Sequence, residues 1–252
     1  MNCSISINNQ SYVFDTEFFF DLSIPIDFKG DQANFFDVSR AISIPYKSGE
    51  IIGSTKKGGG CNFDVISLIP HCNGTHTECV GHIVDEEINI NTILKNNLFP
   101  STLISVQAED GLIRSDQIKL DNVNFNTGLI VRTIPNDKNK MVMTYDSKNI
   151  APYFSKNAIH KIKEMGIIHL LVDIPTIDFS YDDGKLINHH IFWDIDQGSH
   201  KVNEVISHNT ITEMIFVPDK IKDGNYLLQI HIINFTGDAA PSRPIIYPLE
   251  II

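Results

Sequence analysis

Three of the ten histidines, two of the four cysteines and one carboxylate fall within twelve residues, His71-Cys72-Asn73-Gly74-Thr75-His76-Thr77-Glu78-Cys79-Val80-Gly81-His82. Imidazole, thiolate and carboxylate are the usual donors to zinc, so the first chemistry these residues point to is metal binding. In an extended chain, side chains two apart share a face. Cys72, His76, Glu78 and His82 all occupy even positions, and an extended backbone aims the four together and His71 the other way. Gly74 and Gly81 are the places where that parity can break. Taken singly, a histidine is commonly a surface or satisfied core residue, and Cys72 equally suits a small buried hydrophobe. Cys79, at an odd position, is read as structural.

The elements that must hold this stretch are mostly strands. Residues 11–24 are aromatic and β-rich and predict one or two strands. Lys56-Lys57-Gly58-Gly59-Gly60 has no Walker pattern and is a loop leading into a strand at 61–69. A short helix is expected over 86–97 and strands over 103–107 and 128–133. Ser155 is an N-cap for a helix carrying Ala158, Ile159, Ile162 and Met165 at helical spacing, with Gly166 as its stop. The apolar run 167–174 reads as a central strand, so strand, helix and strand form a crossover unit. Residues 179–212 are polar and irregular, and hold His189, His190, His200 and His208. Strands are expected at 211–217, around Glu213, at 226–233 and at 245–252. Glu213 in an apolar strand needs a partner.

The chain has 252 residues, enough for one large core, and no linker divides it, so one domain over 1–252 is expected. A net charge of −11 opposes a nucleic-acid partner, because phosphate binding needs a basic surface. A small-molecule substrate remains. No stretch approaches the length of a membrane span. Residues 1–12 carry no apolar run, and four cysteines are too unevenly placed for a disulfide framework, so a cytoplasmic location is expected. A Gly-x-Ser-x-Gly elbow is absent, which excludes that route to a serine hydrolase. A nucleophilic Cys72 or Cys79 beside a histidine is a weaker local signal.

The pattern Cys72-x-Gly-Thr-His76-x-Glu78-x-x-x-His82 resembles the signature of the cyclase family of metal-dependent hydrolases, His-x-Gly-Thr-His-x-Asp-x-Pro-x-His. That family includes kynurenine formamidase (arylformamidase) and isatin hydrolase. The likeness continues at Phe20-Asp21-Leu22-Ser23-x-Pro25, Val172-Asp173-Ile174-Pro175-Thr176-Ile177-Asp178, Ile211-Thr212-Glu213, Asp223-Gly224-Asn225-Tyr226 and Ala240-Pro241-Ser242-Arg243-Pro244. The resemblance implies an α/β fold, a single domain with a mixed, barrel-like sheet flanked by helices. It also implies metal ligands at Cys72, His76, Glu78, His189 and Glu213, with His82 as the catalytic histidine. His71 is an alternate for Cys72. His190 and His200 compete with His189, which is preferred for its spacing to Phe192-Trp193. One or two divalent ions, zinc foremost, and a homo-oligomer follow from the same likeness.

Three departures stand out. Cys72 replaces a histidine, Glu78 replaces an aspartate and Val80 replaces the proline. A thiolate at 72 beside Glu78 and Glu213 would lower the Lewis acidity of a bound ion and favour zinc over hard cations. Three readings follow from the resemblance. The leading one is a metal-dependent hydrolase of a small formamide or cyclic amide, with His82 as general base and acid. The others are a catalytically impaired member that keeps a structural metal, and a small-molecule binding protein on the same scaffold.

Overall fold

The computed structural model describes residues 1–252. Seven strands close on themselves: β1 (His76–Glu78), β2 (Leu98–Gln107), β3 (Gly128–Ile134), β4 (His169–Val172), β5 (Thr210–Glu213), β6 (Gly224–Ile232) and β7 (Ala239–Pro248). Around the barrel the order is β6-β2-β3-β4-β5-β1-β7, and pairing of β6 with β7 closes it. The run β2 to β5 is parallel, and the remaining pairings are antiparallel. A closed mixed sheet leaves no open edge in the barrel, and Phe20–Asp21 adds a short strand on β7. The expected barrel-like α/β fold is the one observed.

Alternation along each strand splits the apolar residues into two cores. Leu103, Ile130, Leu171, Leu228, Ala240 and Ile246 pack with one another inside the barrel. Their neighbours Ile104, Leu129, Val131, Leu170, Val172 and Ile211 face outward and pack with helix α1 (Lys156–Glu164) and helix α2 (Ile187–Trp193). Both faces of β3 and β4 are therefore covered, which is why the two strands read as continuous apolar runs. The crossover β3–α1–β4 is present as expected, with Ser155 Oγ accepting from Ala158 N–H at 3.2 Å and Gly166 at φ +80°.

Several element expectations change in extent. The helix expected over 86–97 is a single turn at Ile90–Ile93, and the strand expected from 103 begins at Leu98. Pro100 is tolerated there because it precedes Ser101, the first residue paired to β3. Within 179–212, read as irregular, lies α2. It enters through Leu186 in the left-handed region and buries Asn188, His189, His190, Phe192 and Trp193, so it shows no amphipathic period. No helix is long and apolar enough to cross a membrane.

Candidate metal centre

The registers of two strand pairs build the centre. Glu213 on β5 sits opposite His76 on β1, and Ile211 sits opposite Glu78. His76 and Glu78, two apart, face outward, while Thr77 between them faces the barrel interior and bonds Thr212 Oγ1 at 2.8 Å. The rule that i and i+2 share a face thus holds where the chain is a strand. Outside β1 it does not. A turn ties Cys72 and Asn73 N–H to the Ile69 carbonyl, and Val80–His82 forms one 3-10 turn. Gly81 in that turn has no alternative, since a Cβ would collide with the Ile88 carbonyl.

This turn corrects the side expected for His71. His71, assigned by parity to the opposite face, lies in the centre with Nε2 3.5 Å from Glu78 Oε2 and its ring stacked on His82 at 4.3 Å. Cys72 is buried and lines the same cavity, but its Sγ joins neither group of potential ligands. Burial, and then the Glu213 charge, pushes its thiol up to about 11. Cys72, implied as a ligand by the resemblance, and His71, its alternate, thus both stand at the cavity.

Glu78 is the hub. Its Oε2 lies 4.0 Å from His76 Nε2 and 3.9 Å from His82 Nε2, and its Oε1 lies 3.0 Å from His189 Nε2. Glu213 Oε2 is 3.6 Å from His76 Nε2. Two sets of donor atoms meet there, His76, Glu78 and Glu213, fully buried, and His71, Glu78 and His82, partly open. Of the competing histidines, only His189 arrives. His190, on the same helix, lies outside the cavity lining, and His200 Nδ1 bonds the Ile83 carbonyl at 3.0 Å.

Two carboxylates escaped the reading by spacing. Asp178 accepts from His189 Nδ1 at 2.6 Å and from the amides of Asn188 and His189 at 2.7 and 3.2 Å, so one side chain caps the start of α2 and orients its histidine. Asp238 stands 2.9 Å from His71 Nε2 and 3.4 Å from His82 Nδ1. Asp178 was legible as part of a motif without a role. Asp238 has no local signal, because it precedes β7 and meets the histidines only through the β1–β7 pairing.

The buried charges of the centre are shifted in opposite directions. Burial opposes ionisation of Glu78, yet His82, His189 and His71 outweigh it and hold the carboxyl below its ordinary range. Glu213 goes the other way, raised well above 4.5 by burial and then by the Glu78 charge. Burial also works against charge on His189, but its bonds to Asp178 and Glu78 raise it well above 6.5. His76, driven by burial toward its neutral form, bonds the Gly74 carbonyl through Nδ1 at 3.0 Å, which leaves a lone pair on Nε2. That Nε2 is buried without a hydrogen-bond partner, facing two carboxylates. A divalent ion fits this donor set, and His76, Glu78, Glu213 and His189 would hold it.

The centre opens into a cavity of about 370 Å³ walled by Phe35, Phe36 and Phe179 and by Pro175 to Thr176. The "Putative cyclase" family model matches residues 20–179. Solved structures similar to this chain include a predicted metal-dependent hydrolase from Bacillus stearothermophilus, at 17% identity and TM-score 0.60, covering 91% of this chain and 98% of that one. An isatin hydrolase bound to the product analogue thioisatinate aligns at 12% identity and TM-score 0.63, with 92% of each chain covered. Isatin hydrolase A from Ralstonia solanacearum aligns at 14% identity and TM-score 0.62, covering 91% of each. No curated protein sequence gives a significant match. At these identities the structural likeness is one of fold, and the family follows from the sequence model, which spans most of the chain: this protein belongs to the cyclase family.

Proposed function

We propose that the chain is a metal-dependent hydrolase that cleaves a C–N amide bond in a small formamide or cyclic amide. The observation that carries this reading is one buried, ionised carboxylate, Glu78, within 4.0 Å of the imidazoles of His71, His76, His82 and His189 at the wall of a substrate-sized cavity. When bound, a divalent ion, zinc for its affinity for imidazole and carboxylate donors, would supply Lewis acidity toward the amide carbonyl and lower the pKa of water.

The chain's own residues do the rest. Asp178 fixes the His189 ring, and the Ile177 N–H donates to Glu213 Oε1 at 3.0 Å and holds that carboxyl in place. His82, partly open to the cavity, takes the proton of the attacking water at Nε2 and delivers it to the leaving nitrogen. Asp238 faces His82 Nδ1, which favours the tautomer with its proton on Nδ1 and its lone pair on Nε2. The phenylalanine walls exclude bulk water from the reacting amide. The products are a carboxylate and an amine.

The test is elemental analysis of protein purified without added metal, paired with hydrolysis of N-formylkynurenine and isatin by the wild type and by His82→Ala. Zinc with turnover, and turnover lost in His82→Ala while zinc is retained, supports the reading. Zinc without turnover on any small amide would make this an impaired family member, and a metal-free protein would overturn the centre as described.

A further inference from the structure

Outside the metal centre the cavity is walled by Phe35, Phe36, Phe179 and Asp182, and no lysine or arginine lines it. The aromatic wall continues onto Tyr181. Its ring lies 6.2 Å from that of Phe36 at 82° and 6.3 Å from that of Phe179 at 69°, so two rings stand nearly upright to a third. Phe36 and Tyr181 are 49% and 44% exposed, which leaves both rings open to a ligand. Phe36 also holds a left-handed backbone, φ +60°, with its N–H donating to the Tyr145 carbonyl at 2.9 Å. A bulky residue enters that region at a cost, and such outliers cluster where a side chain must be placed for binding. Glycine would form the same turn without strain, so the turn alone does not account for a phenylalanine here.

We propose that these three rings and Asp182 recognise an alkylammonium group, and that the amide hydrolysed at the centre carries one. Aromatic faces are negative, and rings set at steep angles beside a carboxylate form a cage for methylated ammonium groups. The Asp182 carboxylate is fixed in place. Its Oδ1 accepts from the amides of Gly184 and Lys185 at 3.0 and 3.1 Å, and its Oδ2 from that of Leu186 at 2.7 Å. No side chain of the protein occupies the cage: its one cation–π contact is Lys220 over Phe20, and Lys185 pairs with Asp183 at 3.5 Å. A net charge of −11 draws cations to the mouth and repels carboxylates. A neutral aryl group would use the rings and leave Asp182 without a role, and an anionic one would meet Asp182 with no lysine or arginine to receive it. The substrate class rests on the hydrolytic reading of the centre, whereas the ammonium site does not.

Calorimetric titration of the full chain with choline and with its uncharged isostere 3,3-dimethylbutan-1-ol reads the site without turnover. Choline should bind at least about tenfold more tightly at low salt. Phe36→Leu and Tyr181→Leu keep apolar bulk and lose the π face, and each should weaken choline by about 3–10-fold while leaving the isostere within about twofold. Asp182→Asn should weaken choline alone, by a factor that shrinks at high salt. The three variants read the site separately, should one of them not fold. Hydrolysis by the metal-loaded protein then compares 4-(trimethylammoniomethyl)formanilide with its uncharged neopentyl analogue, and the charged substrate should show a KM lower by about tenfold. Choline held through the rings without turnover of either formanilide would sink the hydrolytic reading and leave the ammonium site standing. Equal affinity for choline and its isostere, a preference indifferent to all three variants, or equal KM for the two formanilides would overturn the proposal.

Discussion

At the scale of single residues, the centre depends on a few buried groups with opposed shifts. Glu78 is held below its ordinary range, while Glu213 and His189 are raised above theirs. Removing His76, whose lone pair is buried and without a partner, should therefore abolish metal retention through gel filtration, whereas Cys72→Ser should leave the metal content of the wild type. Equal loss in both variants would return Cys72 to the ligand set. Asp178→Asn removes the charge that orients His189 and should weaken metal affinity by about 10–100-fold, read by competition with a chromogenic chelator. An unchanged affinity would reduce Asp178 to a helix cap.

At the scale of elements, β1 and β5 do two things at once. Their outward residues, His76, Glu78 and Glu213, form the centre, and their inward residues, Thr77 and Thr212, bond each other in the barrel interior. Thr212→Val alone leaves the Thr77 hydroxyl buried without its partner and should cost about 1–3 kcal/mol in urea unfolding. The double change Thr77→Val, Thr212→Val should recover much of that, and additive losses would show the pair to be uncoupled. Helix α1 gives a simpler case. Ser155→Ala removes its N-terminal cap and should cost about 1 kcal/mol without touching metal content.

At the scale of the whole molecule, the shifted groups set how stability follows pH once metal is stripped. His189 and Glu213 hold protons in the fold that the unfolded chain releases above 6.5 and 4.5, so both lose stability as pH rises through those windows. His76 and His169 are depressed by burial and act oppositely, gaining stability as pH rises toward 6.5. Glu78 and Asp238 are held low and withdraw their contribution only in acid. Chelator-stripped protein should therefore lose stability as pH rises above 6.5. Loaded protein should not show that alkaline fall, because bound metal displaces the ligand protons. Thermal melts across the pH range with and without metal decide it, and parallel curves would contradict the assigned charges.

Much of this protein is set by local sequence. Ser155, Gly166 and the apolar spacing between them specify α1, the apolar runs specify β3 and β4, and the donors crowded between His71 and His82 mark where the chemistry lies. These are short-range signals, and capping, periodicity and ligand chemistry can be read from neighbours. Tertiary structure decided which donors meet. Only the antiparallel register puts Glu213 across from His76, only the Ile69–Asn73 turn brings in His71 while leaving the Cys72 sulfur outside the ligand groups, and only packing makes a helix of residues 187–193, all three of its polar residues and both its large aromatics being buried. Asp238 belongs to the same class, since its partners His71 and His82 are brought to it by the β1–β7 pairing, and sheet closure leaves no period in the sequence.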